Sequence, residues 1–142
     1  MTDLVKVEER EGYVYCVAEQ FNYTRENLLL FFQAVLKASR DTDKNLVLID
    51  FTAIREETPA TLKTLTGFLA EALLRNFDRD VGRIPRIALF GVAPHISTYK
   101  PAQEVLQGAS MPVAIFTEAA AAEEWLFAGS KHSFEISLNK IK

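Results

Sequence analysis

The stretch Asn45–Leu69, NLVLIDFTAIREETPATLKTLTGFL, decides the fold. Its first part, Leu46–Asp50, is a short unbroken apolar run closed by an acid, the pattern of a strand covered on both faces in an α/β sheet. From Thr58 onward Leu62, Leu65, Leu69, Leu73 and Phe77 recur every three or four positions. That spacing predicts an amphipathic helix of about five turns, with Lys63, Gly67, Glu71 and Arg75 on its solvated face. The junction holds Glu56, Glu57, Thr58 and Pro59. Adjacent loop carboxylates usually point apart, and a helix N-terminus favours negative charge, so Glu56 and Glu57 read as helix-entry electrostatics before acid/base chemistry. Thr58 reads first as an N-cap and Pro59 as the first helical residue, where a missing N–H costs nothing. A phosphate on Thr58 would also meet the positive end of the helix, although Glu56 and Glu57 oppose the added charge.

Outward from this stretch, LVKVEE and YVYCVAEQ alternate with a period of two around Arg10-Glu11-Gly12, which predicts a hairpin with a half-buried strand thiol at Cys16. Thr24 then caps a helix whose Leu28, Phe31, Phe32, Val35 and Leu36 share one side. RIALFG and MPVAIF repeat the buried-strand pattern. Between them, helical spacing through Ile96, Tyr99, Ala102, Val105 and Leu106 is interrupted by Pro101, so the segment is kinked or starts properly only there. TEAAAAEEWLFAG closes the series, with Thr117 as N-cap and Gly129 as the stop. The order β-β-α-β-α-β-α-β-α predicts an α/β domain with a mostly parallel mixed sheet, an N-terminal antiparallel hairpin and about four helices. Residues 1–142 form one domain on this reading, and 130–142, where Phe134, Ile136 and Leu138 alternate, is an extra edge strand or a tail.

The 142 residues are about one domain's worth and long enough to bury a core without metal or disulfides. With 25% charged and 49% hydrophobic residues the chain should fold on its own. Net charge is −3, and the basic residues stand beside acids, as in NFDRDVGRIPR, which argues against nucleic acid as a partner. One cysteine excludes an intrachain disulfide and suits a reducing compartment. No basic-then-apolar leader opens the sequence and LLLFF is too short to span a bilayer, so the expectation is a cytoplasmic protein with no membrane span.

The inventory for chemistry is sparse. His95 and His132 stand far apart with no HxxxH, CxxC or calcium-loop spacing, so neither a metal nor a cofactor is expected. FGVAPHIST supplies one glycine where a phosphate-cradling loop needs several. No GxSxG elbow exists, and His95 and Ser97 are too close in sequence to face each other on a helix. Asp50 reads as a solvated strand-end carboxylate.

LVLIDFTAI followed by a helix, RIALFGV followed by a helix, and the ending MPVAIFTEAAAAEEWL together resemble the STAS-like family, the fold of bacterial anti-sigma-factor antagonists. Within it, the resemblance is to a divergent branch of small stand-alone bacterial proteins, over about Tyr13 to Leu126. In the antagonist branch a hydroxyl residue in an Asp-Ser-(Ser/Thr)-Gly type loop is phosphorylated by a partner kinase. The nearest positions here are Glu57, Thr58, Pro59 and Ala60, with proline and alanine in place of the small residue and glycine. The resemblance implies a non-enzymatic regulatory module that binds a protein partner, or itself, through Thr52, Thr58, Thr61 and Lys63. Ten phenylalanines, more than the helical and strand faces account for, leave some for a homodimer interface. The alternative is a small-molecule or lipid-binding module, with a pocket at the carboxyl ends of the strands lined by Phe51, Thr52, Gly91, Val92 and His95. A third reading is an enzyme with His95 as general base near Asp50.

Overall fold

The structure, a computed structural model, describes residues 5–19, 24–53, 60–93 and 95–128, with the side chains at 60–64 and 98 left out. Strands β1 (Val5–Arg10) and β2 (Tyr13–Ala18) form the expected hairpin, in register from Val5 opposite Ala18 to Arg10 opposite Tyr13. Gly12 sits in its turn at φ +83°, the left-handed region where a Cβ is disfavoured. Strands β3 (Leu46–Asp50), β4 (Arg86–Phe90) and β5 (Val113–Phe116) follow in parallel, so the five strands lie in chain order, β1-β2-β3-β4-β5. Among the described residues only the β1–β2 pair is antiparallel.

Helices α1 (Arg25–Thr42), α2 (Ala60–Val81) and α3 (Lys100–Gly108) pack on one face of the sheet. Phe31 and Val35 of α1, Leu74 and Phe77 of α2 and Leu106 of α3 meet Cys16, Val47, Ile49, Ile87 and Val113 there. Helix α4, residues 119–128, is the one helix on the other face among the described residues. Its Ala122 and Leu126 cover Leu48, Ala88 and Phe90. Strand β3 is thus enclosed from both sides, and Val47, Leu48 and Ile49 are each 0% exposed.

The ends of the elements follow local chemistry. Thr24 caps α1 as expected, its Oγ1 accepting the Asn27 N–H at 3.1 Å. At the other end of α1, Arg83 donates to the Ser39 carbonyl at 2.9 Å and to Asn45 Oδ1 at 2.9 Å, tying the α2–β4 connection to the start of β3. Arg86 lies 3.6 Å over the Trp125 ring and donates to the Trp125 carbonyl at 2.8 Å, which fixes the last turn of α4 to the start of β4. A 3-10 turn, Ile96–Tyr99, precedes α3, and Pro101 stands in the first turn of α3, so the helix starts properly at the proline as the sequence suggests.

Four expectations change. Helix α2 runs past Phe77 to Val81, because Asp78, Arg79 and Asp80 are exposed polar residues that extend it before Gly82 ends it at φ +87°. Its buried face is turned from the leucine stripe: Thr66, Ala70, Leu74 and Phe77 are buried, whereas Leu65, Leu69 and Leu73 are half-buried flanks. Gly67 belongs to the packed side. The first backbone bond of α4 runs from Ala122 N–H to the Glu118 carbonyl, which puts the cap at Glu118, one residue after Thr117. Cys16 is fully buried beneath α1. Thr58, Pro59, Gly129 and the segment 130–142 lie outside the described residues.

Gly67 allows α2 and α3 to touch through their backbones. A Cβ there would lie 2.9 Å from the Ala102 Cα and 3.0 Å from its carbonyl oxygen. On an open helix surface a Gly-to-Ala change stabilises by about 1 kcal/mol. Here the helices would have to separate, at about 1–3 kcal/mol. Gly67→Ala is therefore expected to lower the urea midpoint, and a raised midpoint would contradict this packing.

Candidate functional site at the carboxyl ends of the strands

The carboxyl ends of β3, β4 and β5 are laced together beyond the regular ladder. Phe51 N–H donates to the Phe90 carbonyl at 2.8 Å and Gly91 N–H to the Phe116 carbonyl at 3.1 Å. Three connections leave from this rim: the β3–α2 loop, the β4–α3 connection and the β5–α4 turn.

Asp50 controls the first of them. Its Oδ1 accepts the Thr52 N–H at 2.9 Å and the Thr52 hydroxyl at 2.5 Å, and its Oδ2 accepts the Tyr15 hydroxyl at 3.0 Å. An acid bonding its own backbone two residues on is the turn chemistry that starts a loop. Asp50 is thus engaged by its neighbours and is not the solvated strand-end carboxylate the sequence suggests. The clamp reaches across the sheet, because Tyr15 stands on β2 beside Leu48 and the Arg10 guanidinium lies 4.0 Å over its ring. Burial, followed by the bond to Asp50, pushes the Tyr15 hydroxyl up to about 12. Bonds to Tyr13 and Glu8 raise Arg10.

The residues expected at this rim have different fates. Thr52 is half-buried and held by Asp50. Phe51 is 6% exposed, packed edge-to-face on Phe31 and Tyr99 at 5.6 and 6.0 Å. It borders an internal apolar cavity of about 60 Å³, shared with Leu28, Phe32, Ala70 and Leu106. That is far below the roughly 300–1,000 Å³ of ligand sites, so Phe51 packs as core. Gly91 is buried, and a Cβ on it would come within 3.1 Å of Ile96. Val92 and His95 are half-buried. Thr61 and Lys63 stand in the first turns of α2 with their side chains outside the description, and Thr58 lies outside it altogether, as do Glu56 and Glu57.

Two features were not singled out from the sequence. Phe68 is 54% exposed on the outer flank of α2, beside half-buried Leu65 and Leu69 and exposed Ala72. Its signal is the apolar arc of α2, which is wider than the face the sheet can cover. The second is a cleft of about 390 Å³ bounded by the β4–α3 and β5–α4 connections, with Ser97, Lys100, Thr117 and Glu118 among its walls. Among the described residues no three His, Cys, Asp or Glu side chains gather as a metal site, and no helix is long and apolar enough to cross a membrane.

No family model matches the sequence, and no curated protein matches it. Among solved structures, the chain is similar to a serine-to-glutamate variant of RsbS from Moorella thermoacetica. That likeness has 15% identity and a TM-score of 0.55, over 91% of this chain and 99% of the other. It is also similar to an anti-sigma factor antagonist from Mycobacterium paratuberculosis, at 14% identity and a TM-score of 0.47 over 86% and 92% of the two chains. The chain has the STAS-like fold: a mixed five-stranded sheet led by an antiparallel hairpin, with four helices among the described residues.

The clamp predicts a graded response. Asp50→Ala strands the Thr52 N–H and the Tyr15 hydroxyl, and is expected to destabilise by about 1–3 kcal/mol, whereas Tyr15→Phe removes one bond and costs about 0.5–1.5 kcal/mol. Urea melts of both variants check the order; equal midpoints for wild type and Asp50→Ala would contradict the clamp. Alkali gives a second test. Burial pushes the Cys16 thiol up to about 12, and Tyr15 is raised as well. Both groups keep their protons longer in the folded chain than in the unfolded one, so stability is complete below their ordinary values and falls as pH rises from about 9 towards 12. Cys16→Ala should flatten the lower part of that fall in urea midpoints measured against pH.

Proposed function

We propose that this protein is a regulatory STAS-like module without catalytic activity, which binds a protein partner through the outer flank of α2 and the loop entering it. The observation that carries the reading is Phe68, a large aromatic side chain more than half exposed beside other apolar residues on α2. Exposed apolar groups matter when they adjoin one another, and aromatic anchors dominate protein interfaces. The likeness of fold to RsbS supports a regulatory role. The Asp50 clamp supports it too: this carboxylate already serves Tyr15 and Thr52, which is a loop-positioning duty.

Thr52 is the fixed end of the loop that leads to Thr58, and Thr61 and Lys63 stand one turn further on. On this proposal the clamp presents Thr58 and the first turns of α2 to the partner, while Phe68 supplies the apolar anchor two turns beyond. A phosphate on Thr58 would then act at the edge of the interface. The partner is another protein or a second copy of the chain.

Affinity capture from cells with the immobilised full chain tests this. Phe68→Asp and Lys63→Glu should each reduce the recovered partner at least about tenfold, equivalent to about 1.4 kcal/mol. Glu123→Lys, on α4 at the opposite face, should not. Sedimentation equilibrium over a concentration series reads the self-association branch. Recovery unaffected by Phe68→Asp, in a chain that also stays monomeric, would overturn the surface assignment.

A further inference from the structure

We infer that the cleft between the start of α3 and the β5–α4 connection binds a small zwitterion with an apolar side group, of the α-amino acid class. The connection after β4 passes to α3 on the three-helix face, and the connection after β5 passes to α4 on the opposite face. Where the connections of adjacent parallel strands leave in opposite directions, the space beyond their carboxyl ends is where open α/β sheets hold ligands. A cleft of about 390 Å³ beside this point is bounded by Ile96, Ser97 and Lys100 on one side and by the end of β5, Thr117, Glu118 and Ala121 on the other, and it falls within the roughly 300–1,000 Å³ of small-molecule sites.

Its lining selects the ligand. Ile96, Ile115 and Phe116 supply apolar surface, Ser97 and Thr117 supply hydroxyls, and Lys100 and Glu118 supply one charge of each sign. Among the described residues no ion pair or hydrogen bond involves the charged end of the Lys100 or the Glu118 side chain. A simple anion drawn to Lys100 is opposed by Glu118, and a simple cation meets the reverse conflict. A molecule carrying both charges satisfies both walls, its carboxylate on Lys100 and the hydroxyls, its ammonium on Glu118. Its side group then covers Ile115 and Phe116. The site stands apart from the α2 flank, so it does not depend on the partner-binding proposal. It also differs from the pocket expected at Phe51, Gly91, Val92 and His95, none of which borders the cleft.

An NMR titration of the ¹⁵N-labelled full chain tests this, with L-phenylalanine as probe and N-acetyl-L-phenylalanine, L-phenylalaninamide and inorganic phosphate as comparisons. The expected result is saturable shifts at the amides of Ser97, Lys100, Thr117, Glu118 and Ala121 with the free amino acid. Each singly charged analogue should bind at least about tenfold more weakly. Lys100→Gln and Glu118→Gln, both at exposed positions and both keeping the backbone and the side-chain size, should each weaken the amino acid by a similar factor. Absent saturation, equal binding of the amide analogue, phosphate shifting the same amides as strongly, or unchanged affinity in both variants would each overturn the proposal.

Discussion

Burial of β3 on both faces is the constraint from which the rest follows. A strand whose Val47, Leu48 and Ile49 are all removed from water needs a layer on each side and a strand at each edge. Among the described residues the chain meets this unequally, with three helices on one face and α4 on the other. The hairpin completes the sheet beside β3, and β1 takes the outer position with Lys6, Glu8 and Glu9 exposed, charges that suit an edge strand. Arg83 and Arg86 then tie the amino-terminal rim of the sheet, one through the end of α1 and one through the end of α4.

At the carboxyl rim the same unequal layering separates two surfaces. The Asp50 clamp holds Thr52 where the chain leaves β3, and the apolar arc of α2 is wider than the sheet beneath it and leaves Phe68 outside. One strand further, the path of the chain changes faces between α3 and α4, and the cleft lies in the gap. The close approach of α2 and α3 at Gly67 and Ala102 joins the two regions mechanically, since displacement of one helix is felt by the other. A protein partner on α2 and a small ligand beside α3 would therefore bear on one packed unit.

Much of this architecture was legible because strand and helix periods differ. LVLID, RIALF and VAIF are continuous apolar runs, Tyr13–Ala18 alternates, and α1 has one clear apolar side with a threonine cap. Helix α2 was harder to orient, because leucines occupy three adjoining rows and periodicity alone does not say which row faces inward. Small residues held the answer: Gly67 and Ala70 fit the closest contacts, and the bulkier leucines were pushed to the flanks. Asp50 showed as an acid at a strand end, but its partner Tyr15 is 35 residues away and only strand pairing brings the two together. The cleft was invisible for the same reason. Lys100 and Glu118 come from separate connections, and no short motif joins them.

The central claim, that an enclosed β3 anchors the sheet and holds the carboxyl rim in place, is tested most directly by native-state hydrogen exchange. The account predicts that the amides of Val47, Leu48 and Ile49 exchange only through global unfolding, while those of β1 open at far lower free energy. Amides of β3 exchanging as readily as those of β1 would contradict it.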